Sequence, residues 1–419
     1  MIKIISKDEY FNKEEELAFD EAVESAVRDI LSDVKSRGDE AVMDYTYRFD
    51  KVKLECLEVS KEEIDEAYAS IDEYFLQTLK EAKENIERYH RAQLRDGYQI
   101  EGGKGIKLGQ IVRPLKRVGV YVPGGTAAYP STVLMDVIPA KIAGVEEVVL
   151  VSPCRDGKVN AGVLAAAKLA GADRVFRIGG AQAIGALAFG TKSVPKVDKI
   201  VGPGNAYVAT AKKQVFGHVD IDMIAGPSEI LIVADDTARA DFVASDMLGQ
   251  AEHDKRAGIT LVCLSRDFAN EVVEELDKQL ARLPRAEIAT CSINNGKIVV
   301  VDSLDEAIDI ANDVAPEHLE LCIDKPFEAL DKVKNAGGIF LGNFSPEALG
   351  DYYAGTNHTL PTSGTARFQS PLSVDDFIKK SSYLYYTEEA LKEVGERVAD
   401  FAEREGLDAH ARSIKVRLK

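Results

Sequence analysis

The chain has 419 residues, of which 45% are hydrophobic and 29% are charged, and its formal net charge is -18. This length exceeds what one hydrophobic core usually organises, so we expect two large lobes. The negative charge repels polyanions and no dense lysine and arginine stripe offsets it, which argues against a nucleic-acid partner. No apolar run approaches the roughly 20 residues that a membrane-spanning helix needs, so we expect no membrane partner.

The N-terminal sequence MIKIISKDEYFNKEEE becomes acidic at once and lacks the basic start and apolar stretch of a secretory signal. We therefore expect a cytoplasmic protein. Its five cysteines are odd in number, widely spaced and without a CxxC pair, which predicts reduced thiols. A small soluble substrate fits these features.

The predicted elements begin with acidic amphipathic helices over residues 1 to about 95, where apolar positions recur three or four apart. From about residue 117, short β-branched runs alternate with Ala-rich helical stretches, which is typical of a parallel sheet. The strand candidates are RVGVYV, EEVVLVS, DRVFRI, DKIVG, EILIVAD, GITLVCL, KIVVVDS and GIFLG. After about residue 372 the chain becomes helical and polar again.

This pattern predicts an α/β protein with two doubly wound, Rossmann-like parallel-sheet lobes, a helical N-terminal segment and a helical C-terminal tail. We place the N-terminal segment at residues 1–25 and the tail at 372–419. The first lobe combines 26–120 with 230–371, and the second lobe takes 121–229.

Glycine clusters lie where predicted strands give way to helices, which is where open α/β sheets place their ligands. The loops YVPGGTAAYPS, IGGAQAIG and VGPGNAY each add a side chain that can stack or hydrogen-bond, namely Tyr121, Gln182 and Asn205. None is a GxGxxG followed by an acidic residue about 20 positions on, so the usual dinucleotide fingerprint is absent. Tight turns without a ligand remain an alternative.

Histidine is scarce, with six copies, and most of them lie late in the chain beside carboxylates or amides. The histidines with such neighbours are His253, His318, His358 and His410. His90 and His218 lack suggestive neighbours, and we interpret both as structural.

A metal site is indicated by Gln250 and His253 in DMLGQAEHD. On a continuing helix these residues are three apart and project from one face, so an amide oxygen and an imidazole can reach one ion. Asp351 and His410 complete a nitrogen and oxygen set that suits zinc or a similar divalent ion. The alternative is a solvent-facing Gln and His pair.

Acid-base chemistry is indicated by Glu317 and His318 in VAPEHLEL. At a loop or a helix start both side chains could face a cleft, where a histidine suits removal of a hydroxyl proton and a carboxylate suits activation of water. The alternative is a helix initiated by Pro316, whose positive N-terminal end favours Glu317.

In their order and in their residues these motifs closely resemble the histidinol dehydrogenase family, and the resemblance covers nearly the whole chain. The most specific segments are VGVYVPGGTAAYPSTVLM, RIGGAQAIGALAFGT, KIVGPGNAYVATAKKQVFG, DIDMIAGPSEILIVAD, GQAEHD, APEHLEL, GDYYAGTNHTLPTSGTARF and EGLDAHARS.

The resemblance implies roles for individual residues. It implies one Zn²⁺ per subunit, held by Gln250, His253, Asp351 and His410, which orients the substrate instead of activating water. Further substrate contacts would come from Ser228, His358 and Glu405, and NAD contacts from Tyr121, Gln182 and Asn205. The first lobe would carry the metal and catalytic residues, and the second lobe would bind NAD.

The implied reaction is the NAD-dependent, two-step oxidation of L-histidinol to L-histidine through histidinal, the final step of histidine biosynthesis. His318 would be the general base, and Glu317 would activate water. A closed site would protect the aldehyde from side reactions. The resemblance also implies an intertwined homodimer, in which the C-terminal tail with Glu405 and His410 completes the partner subunit's site.

Two other interpretations remain open at this point. A related zinc dehydrogenase could oxidise another small alcohol, such as a sulfonated diol, although AGPSE, APEHLEL and EGLDAH favour histidinol. A zinc-stabilised binding or scaffold protein would lack catalysis and would unfold when the metal is removed.

Overall fold

The computed structural model describes residues 2–11, 21–124 and 128–419. Part of the predicted N-terminal segment (12–20) and part of the first glycine loop (125–127) lie outside the described residues. The described part of the chain is a mixed α/β structure with two parallel sheets, which confirms the predicted fold class.

The strands of the described residues are β1 (Lys3–Ser6), β2 (Tyr98–Gly103), β3 (Ile106–Pro114), β4 (Arg117–Tyr121), β5 (Glu147–Val151), β6 (Arg174–Phe176), β7 (Lys199–Val201), β8 (Asp220–Ile221), β9 (Glu229–Ala234), β10 (Gly258–Cys263), β11 (Lys297–Val300), β12 (His318–Cys322), β13 (Gly338–Leu341) and β14 (Ile378–Tyr386). The eight predicted strands correspond to β4, β5, β6, β7, β9, β10, β11 and β13.

The helices of the described residues are α1 (Lys7–Phe11), α2 (Glu21–Arg37), α3 (Asp39–Asp50), α4 (Lys61–Ser70), α5 (Glu73–Arg91), α6 (Pro130–Ala143), α7 (Ala161–Ala170), α8 (Gly180–Phe189), α9 (Ala206–Val215), α10 (Ala240–Ala251), α11 (Arg266–Leu280), α12 (Ala286–Asn295), α13 (Leu304–Val314), α14 (Pro326–Leu330), α15 (Glu347–Leu349), α16 (Glu388–Arg404) and α17 (Asp408–Lys415). A π-helical turn, Gly350–Ala354, follows α15.

The chain divides into two compact units, the first formed by Met1–Gln93 and Leu115–Phe377. This unit contains a five-stranded parallel sheet in the order β6-β5-β4-β7-β8 and a six-stranded parallel sheet in the order β1-β11-β10-β9-β12-β13. The interior strands are continuous apolar runs because helices cover both of their faces. In β5, for example, Val148 and Leu150 belong to one hydrophobic cluster, whereas Val149 and Val151 belong to another.

Helices α2 to α5 pack around the five-stranded sheet. Val27 and Ile30 of α2 share a buried cluster with α8 and α9, and Leu79 and Ile86 of α5 share a second cluster with α6 and α7. The sequence interpretation placed residues 26–120 with 230–371 instead. Amphipathic periodicity shows that a helix has an apolar face but not which sheet receives that face. We therefore propose that α2 to α5 belong to the lobe of the five-stranded sheet.

The N-terminal segment is not purely helical, because β1 pairs in parallel with β11 at the edge of the six-stranded sheet. Its Ile2 and Ile4 pack on the cluster formed with α10, α11 and α12. Four residues are too short for a periodicity argument to separate a strand from the helices that follow.

The second unit, Leu94–Pro114 and Ile378–Lys419, contains an antiparallel sheet in the order β14-β3-β2, followed by α16 and α17. The predicted helical tail is confirmed by α16 and α17, but the tail also contains a strand, β14, that was not predicted. Ile378–Tyr386 pairs along its whole length with Ile106–Pro114. Its aromatic residues favour a strand, but the segment IKKSSYLYY is too polar to be recognised as a core strand.

Among the described residues, no helix is long and apolar enough to span a bilayer.

Candidate active site

The predicted catalytic residues lie at the amino-terminal edge of the six-stranded sheet. Ser228 directly precedes β9, Glu317 directly precedes β12, and His318 is the first residue of β12. The neighbouring strands are in register there, with His318 paired to Ile230. Glu317 lies in the loop that enters β12, as one of the predicted settings had it, and His318 begins this buried strand. The alternative of a helix initiated by Pro316 is wrong.

His318 is buried and held by the main chain of Glu229. Its Nδ1 lies 3.1 Å from the Glu229 carbonyl oxygen, and because a carbonyl can only accept, Nδ1 donates the hydrogen. Nε2 therefore keeps its lone pair, and it is buried with no hydrogen-bond partner in the described part of the chain. Burial lowers the pKa of His318 to about 3, so the ring is neutral near pH 7. The result is a buried imidazole with an unused basic nitrogen.

Glu317 also binds the main chain of Glu229, at its N–H group instead of its carbonyl group. Its Oε2 accepts a hydrogen bond from the Glu229 N–H at 2.9 Å and lies 3.8 Å from His318 Nδ1. Burial raises the pKa of Glu317 well above its usual value. Its carboxylate therefore binds a proton more tightly than an exposed carboxylate does, which suits a group that takes a proton from water.

A candidate metal site lies beside His318. The ligating atoms of His253, Glu347 and Asp351 all lie within 4.8 Å of one another. Asp351 Oδ1 is 3.8 Å from His318 Nε2, and burial raises the pKa of Asp351 to about 7. One imidazole nitrogen and two carboxylate oxygens are donors that suit zinc.

Gln250 lies next to this cluster, on the last turn of α10. Its side chain is fully buried, and its Nε2 is 3.4 Å from His318 Nδ1. Its Oε1 is buried without a hydrogen-bond partner among the described residues, as expected of an oxygen that binds an ion. Helix α10 ends at Ala251, but the His253 N–H still donates to the Gln250 carbonyl at 3.2 Å, which keeps the predicted three-residue turn.

Sequence reasoning missed Glu347 and a chain of buried acids behind it. The Glu347 N–H donates to Glu320 Oε1 at 2.7 Å, and Glu347 Oε1 lies 3.7 Å from His318 Nδ1. Burial raises the pKa of Glu320 to about 8 and that of Asp246 to about 6. The four-residue spacing of Glu347 and Asp351 was the one available signal, and it has meaning only once a helical turn is known there.

His358 connects this site to α6. Its Nδ1 lies 2.9 Å from the Asp351 carbonyl oxygen, to which it donates, and its Nε2 accepts from the Thr132 hydroxyl at 3.2 Å. Burial lowers the pKa of His358 to about 4, so this ring is also neutral. His358 thus fixes the turn that carries Asp351 and offers a second neutral imidazole beside it.

Two predicted residues lie in the second unit. Glu405 follows α16, His410 lies on α17, and both side chains are exposed. Their assignment to the substrate and the metal stays a prediction.

The three predicted coenzyme residues line one cavity of about 1230 Å³ at the carboxyl edge of the five-stranded sheet. Tyr121 ends β4, Gln182 lies in the first turn of α8, and Asn205 follows β7. From β4 the chain adds β5 and β6 on one side of the sheet and then β7 and β8 on the other side. Such a change of direction is where open α/β sheets form a ligand crevice.

Glycines allow the main chain to approach these residues closely. The Gly180 N–H donates to the Tyr121 hydroxyl at 3.1 Å, and burial raises the pKa of Tyr121 to about 12. A Cβ at Gly202 would lie 2.1 Å from the Tyr121 carbonyl oxygen, and φ there is +110°, so only glycine fits. Asn205 Oδ1 caps α9, whereas Gln182 Oε1 is buried without a partner in the described part of the chain.

Comparison with known proteins identifies the family. The histidinol dehydrogenase family profile matches residues 13–418. The chain is 56% identical to the histidinol dehydrogenase of Clostridium acetobutylicum over 395 residues, or 94% of this chain and 92% of that protein. It is 56% identical to that of Bacillus cereus over 401 residues, or 96% and 94%. The chain belongs to the histidinol dehydrogenase family.

The fold supports the same assignment. The crystal structure of histidinol dehydrogenase from Elizabethkingia anophelis matches with a TM-score of 0.94 at 39% identity, covering 99% of this chain and 96% of that chain. The predicted enzyme class, an NAD-linked oxidoreductase of the last step of histidine biosynthesis, is confirmed by the family. The predicted cofactors, NAD and Zn²⁺, are those of the family, and the cluster of His253, Glu347 and Asp351 fits the metal.

Proposed function

We propose that this chain oxidises L-histidinol to L-histidine at the amino edge of the six-stranded sheet, with His318 as general base. The observation that supports this proposal most directly is the buried Nε2 of His318, which has no hydrogen-bond partner among the described residues. It lies 3.8 Å from Asp351 Oδ1, and Asp351 belongs to the cluster of side chains that could bind a metal ion. A buried basic nitrogen beside a metal cluster suits removal of a proton from an oriented alcohol.

In the first step, His318 Nε2 takes the hydroxyl proton while the carbinol carbon loses hydride to NAD⁺, which gives histidinal, NADH and a proton. The imidazolium that forms is stabilised by the carboxyl groups within 4 Å of the ring, those of Glu317, Glu347 and Asp351. Neutral His318 is ready for this role because burial disfavours its charged form.

In the second step, water adds to the aldehyde carbon with Glu317 taking a proton, which gives the hydrate. The neutral hydrate loses hydride to a second NAD⁺ and two protons to the site and solvent, which gives the carboxylate of L-histidine. Glu317 is assigned this role because its Oε2 lies 3.8 Å from His318 Nδ1, beside the base that acts in the first step.

We assign the zinc ion to Gln250, His253 and Asp351, with Glu347 as a further candidate ligand. When bound, the ion would hold the substrate and polarise its hydroxyl. Ser228, which precedes β9, and His358, which donates to Asp351, are assigned to the substrate. Tyr121, Gln182 and Asn205 are assigned to NAD, because all three line one cavity.

We further propose a cytoplasmic homodimer in which Glu405 and His410 serve the partner subunit's site. The exposed side chains of both residues support an intermolecular role. Large apolar side chains of the second unit are also exposed, including Leu384, Phe401 and Val416, as is typical of a surface that a partner covers.

The decisive experiment counts the NADH formed for each histidinol consumed. The proposal requires two. A value of one would contradict the double oxidation, and a faster reaction with a sulfonated diol than with histidinol would contradict the substrate.

A further inference from the structure

Asn357 is a buried amide that satisfies hydrogen bonds on two helices of the five-stranded sheet's lobe. Its Nδ2 donates to the Met135 carbonyl at 2.7 Å and lies 3.3 Å from His90 Nε2. Its Oδ1 accepts from the Thr359 N–H at 2.8 Å. His90 Nδ1 donates to the Ile86 carbonyl at 2.9 Å, so His90 Nε2 keeps the lone pair that the amide requires.

The next two residues bind α6 as well. The Thr359 hydroxyl donates to Asp136 Oδ1 at 2.7 Å, and the Thr132 hydroxyl donates to His358 Nε2 at 3.2 Å. Thr132 and Asp136 are four residues apart, so they lie on one face of α6. Three consecutive residues, with His358 in the middle, are therefore each bonded to the same helix.

Helix α6 lies close to a loop of the coenzyme cavity. It follows β4, whose last residue Tyr121 lines the cavity, and its residues 131–140 are buried. Asp136 Oδ2 is buried with no hydrogen-bond partner among the described residues, and a Cβ at Gly202 would lie 3.1 Å from it. Gly202 belongs to the loop that carries Asn205, so α6 lies between the substrate segment and this loop.

We propose that Asn357 and Thr359 are positioning residues that dock the segment 357–359 on α6 and thereby fix His358 relative to the coenzyme cavity. This inference rests on the proposed function, in which His358 contacts the substrate. Hydride transfer requires donor and acceptor atoms about 3 to 3.5 Å apart, and a misplacement of about 1 Å can cost 10²-fold in rate. The two reactants are assigned to different lobes here, so the docking of one lobe on the other sets that distance.

His90 has a defined part in this arrangement. Sequence analysis interpreted it as structural, and it does not reach the metal cluster. Nε2 of its buried ring accepts a hydrogen bond from the Asn357 side-chain amide. Burial lowers the pKa of His90, which favours the neutral ring that can accept this bond. His90 therefore contacts the segment 357–359 through Asn357.

The test measures hydride transfer directly, as the single-turnover rate of NADH formation from histidinol and from histidinol deuterated at the carbinol carbon. Thr359→Val removes the hydroxyl that binds Asp136 with little change in shape, and Thr359→Ser restores it. We expect Thr359→Val to slow the isotope-sensitive step about tenfold or more, Thr359→Ser to recover most of the rate, and zinc content to stay unchanged in both.

Asn357→Ala tests the other anchor, with Asn312→Leu as a matched control. Asn312 also uses its side chain for main-chain bonds, to the Lys332 carbonyl and from the Lys334 N–H, but outside the site. Asn312→Leu should lower the unfolding midpoint without slowing hydride transfer, whereas Asn357→Ala should slow it. His90→Gln, which keeps an acceptor for the amide, should retain more activity than His90→Leu.

The result that overturns the inference is a wild-type hydride rate in Thr359→Val, or an equal slowing in Asn312→Leu at equal loss of stability. Failure of the wild-type protein to form any NADH from histidinol is a different outcome and contradicts the proposed function itself.

Discussion

The two parallel sheets of the first unit carry their candidate functional residues at opposite ends of the strands. The five-stranded sheet places Tyr121, Gln182 and Asn205 beyond the carboxyl ends of its strands, as open α/β sheets usually place a ligand. The six-stranded sheet instead presents Ser228, Glu317 and His318 at the amino ends of β9 and β12.

This difference follows from what each edge offers. At a carboxyl edge, glycine turns and helix N-termini expose main-chain N–H groups, which suit a coenzyme's phosphates and amides. At an amino edge, helices end and carbonyl groups collect, and here the Glu229 carbonyl fixes the proton of His318 on Nδ1. One edge therefore suits binding of a nucleotide, and the other suits placement of a base and metal ligands.

Removal of the metal should have the largest effect on activity. It should abolish the function of the amino edge of the six-stranded sheet and leave NAD binding at the carboxyl edge of the five-stranded sheet intact. After chelation we expect the protein to stay folded and to bind NAD but to show no measurable histidinol oxidation, because in our proposal the zinc ion binds the substrate and does not stabilise the core. Circular dichroism, NAD titration and an activity assay would check this, with zinc added back as the control. Unfolding on chelation would favour the scaffold interpretation.

Loss of the base should come next. His318→Asn should lower kcat for histidinol by about 10² to 10⁴, because proton transfer in the transition state is lost. The KM for NAD should stay within about twofold, since the residues that we assign to NAD lie at the other edge. His218→Asn is the matched control, because His218 is exposed and packs against Phe189 outside the site. An unchanged kcat in His318→Asn would remove this residue from the mechanism.

A smaller effect is expected at the coenzyme edge. Gln182→Ala removes a buried amide oxygen that has no partner among the described residues, and it should raise the KM for NAD about tenfold while zinc affinity stays constant. Gln279→Ala, which removes a bond to the Asp241 carbonyl far from the cavity, should leave KM unchanged. A changed zinc affinity in Gln182→Ala would show that the two edges are not independent.

The last prediction concerns the pH dependence of stability and not catalysis. Burial raises the pKa of Asp136 to about 8, so the unfolded chain ionises this group before the folded chain does. Its contribution to stability is present below about pH 4 and is lost as pH rises towards 8. Asp136→Asn should therefore gain stability relative to wild type between pH 4 and 8, with no further gain above 8. Urea unfolding at pH 5, 7 and 9 would measure this, and a constant difference would contradict it.

Strands with continuous apolar sequence were predictable, since EVVLV and EILIVA can only be buried on both faces. The strand that carries His318 was not, because HLELC contains the polar residues His318 and Glu320 and both are buried. Polar residues make such a segment look like a surface loop. Their burial is stabilised by groups distant in sequence, such as the Glu347 N–H, which donates a hydrogen bond to Glu320.

The same limit applies to the site. The three-residue spacing of Gln250 and His253 was sufficient to predict their shared turn. The glycine loops drew attention to Tyr121, Gln182 and Asn205, which line one cavity, and their contact with NAD stays a prediction. Glu347 and the bonds of Asn357 could not be predicted, because they depend on contacts between segments more than 25 residues apart.

The most direct test of the amino-edge site is anomalous diffraction at the zinc edge from crystals soaked with zinc, NAD and histidinol. We predict one strong peak per subunit within bonding distance of His253 and Asp351, with the histidinol hydroxyl next to His318 Nε2. A zinc peak elsewhere, or a substrate whose hydroxyl lies away from His318, would contradict this account.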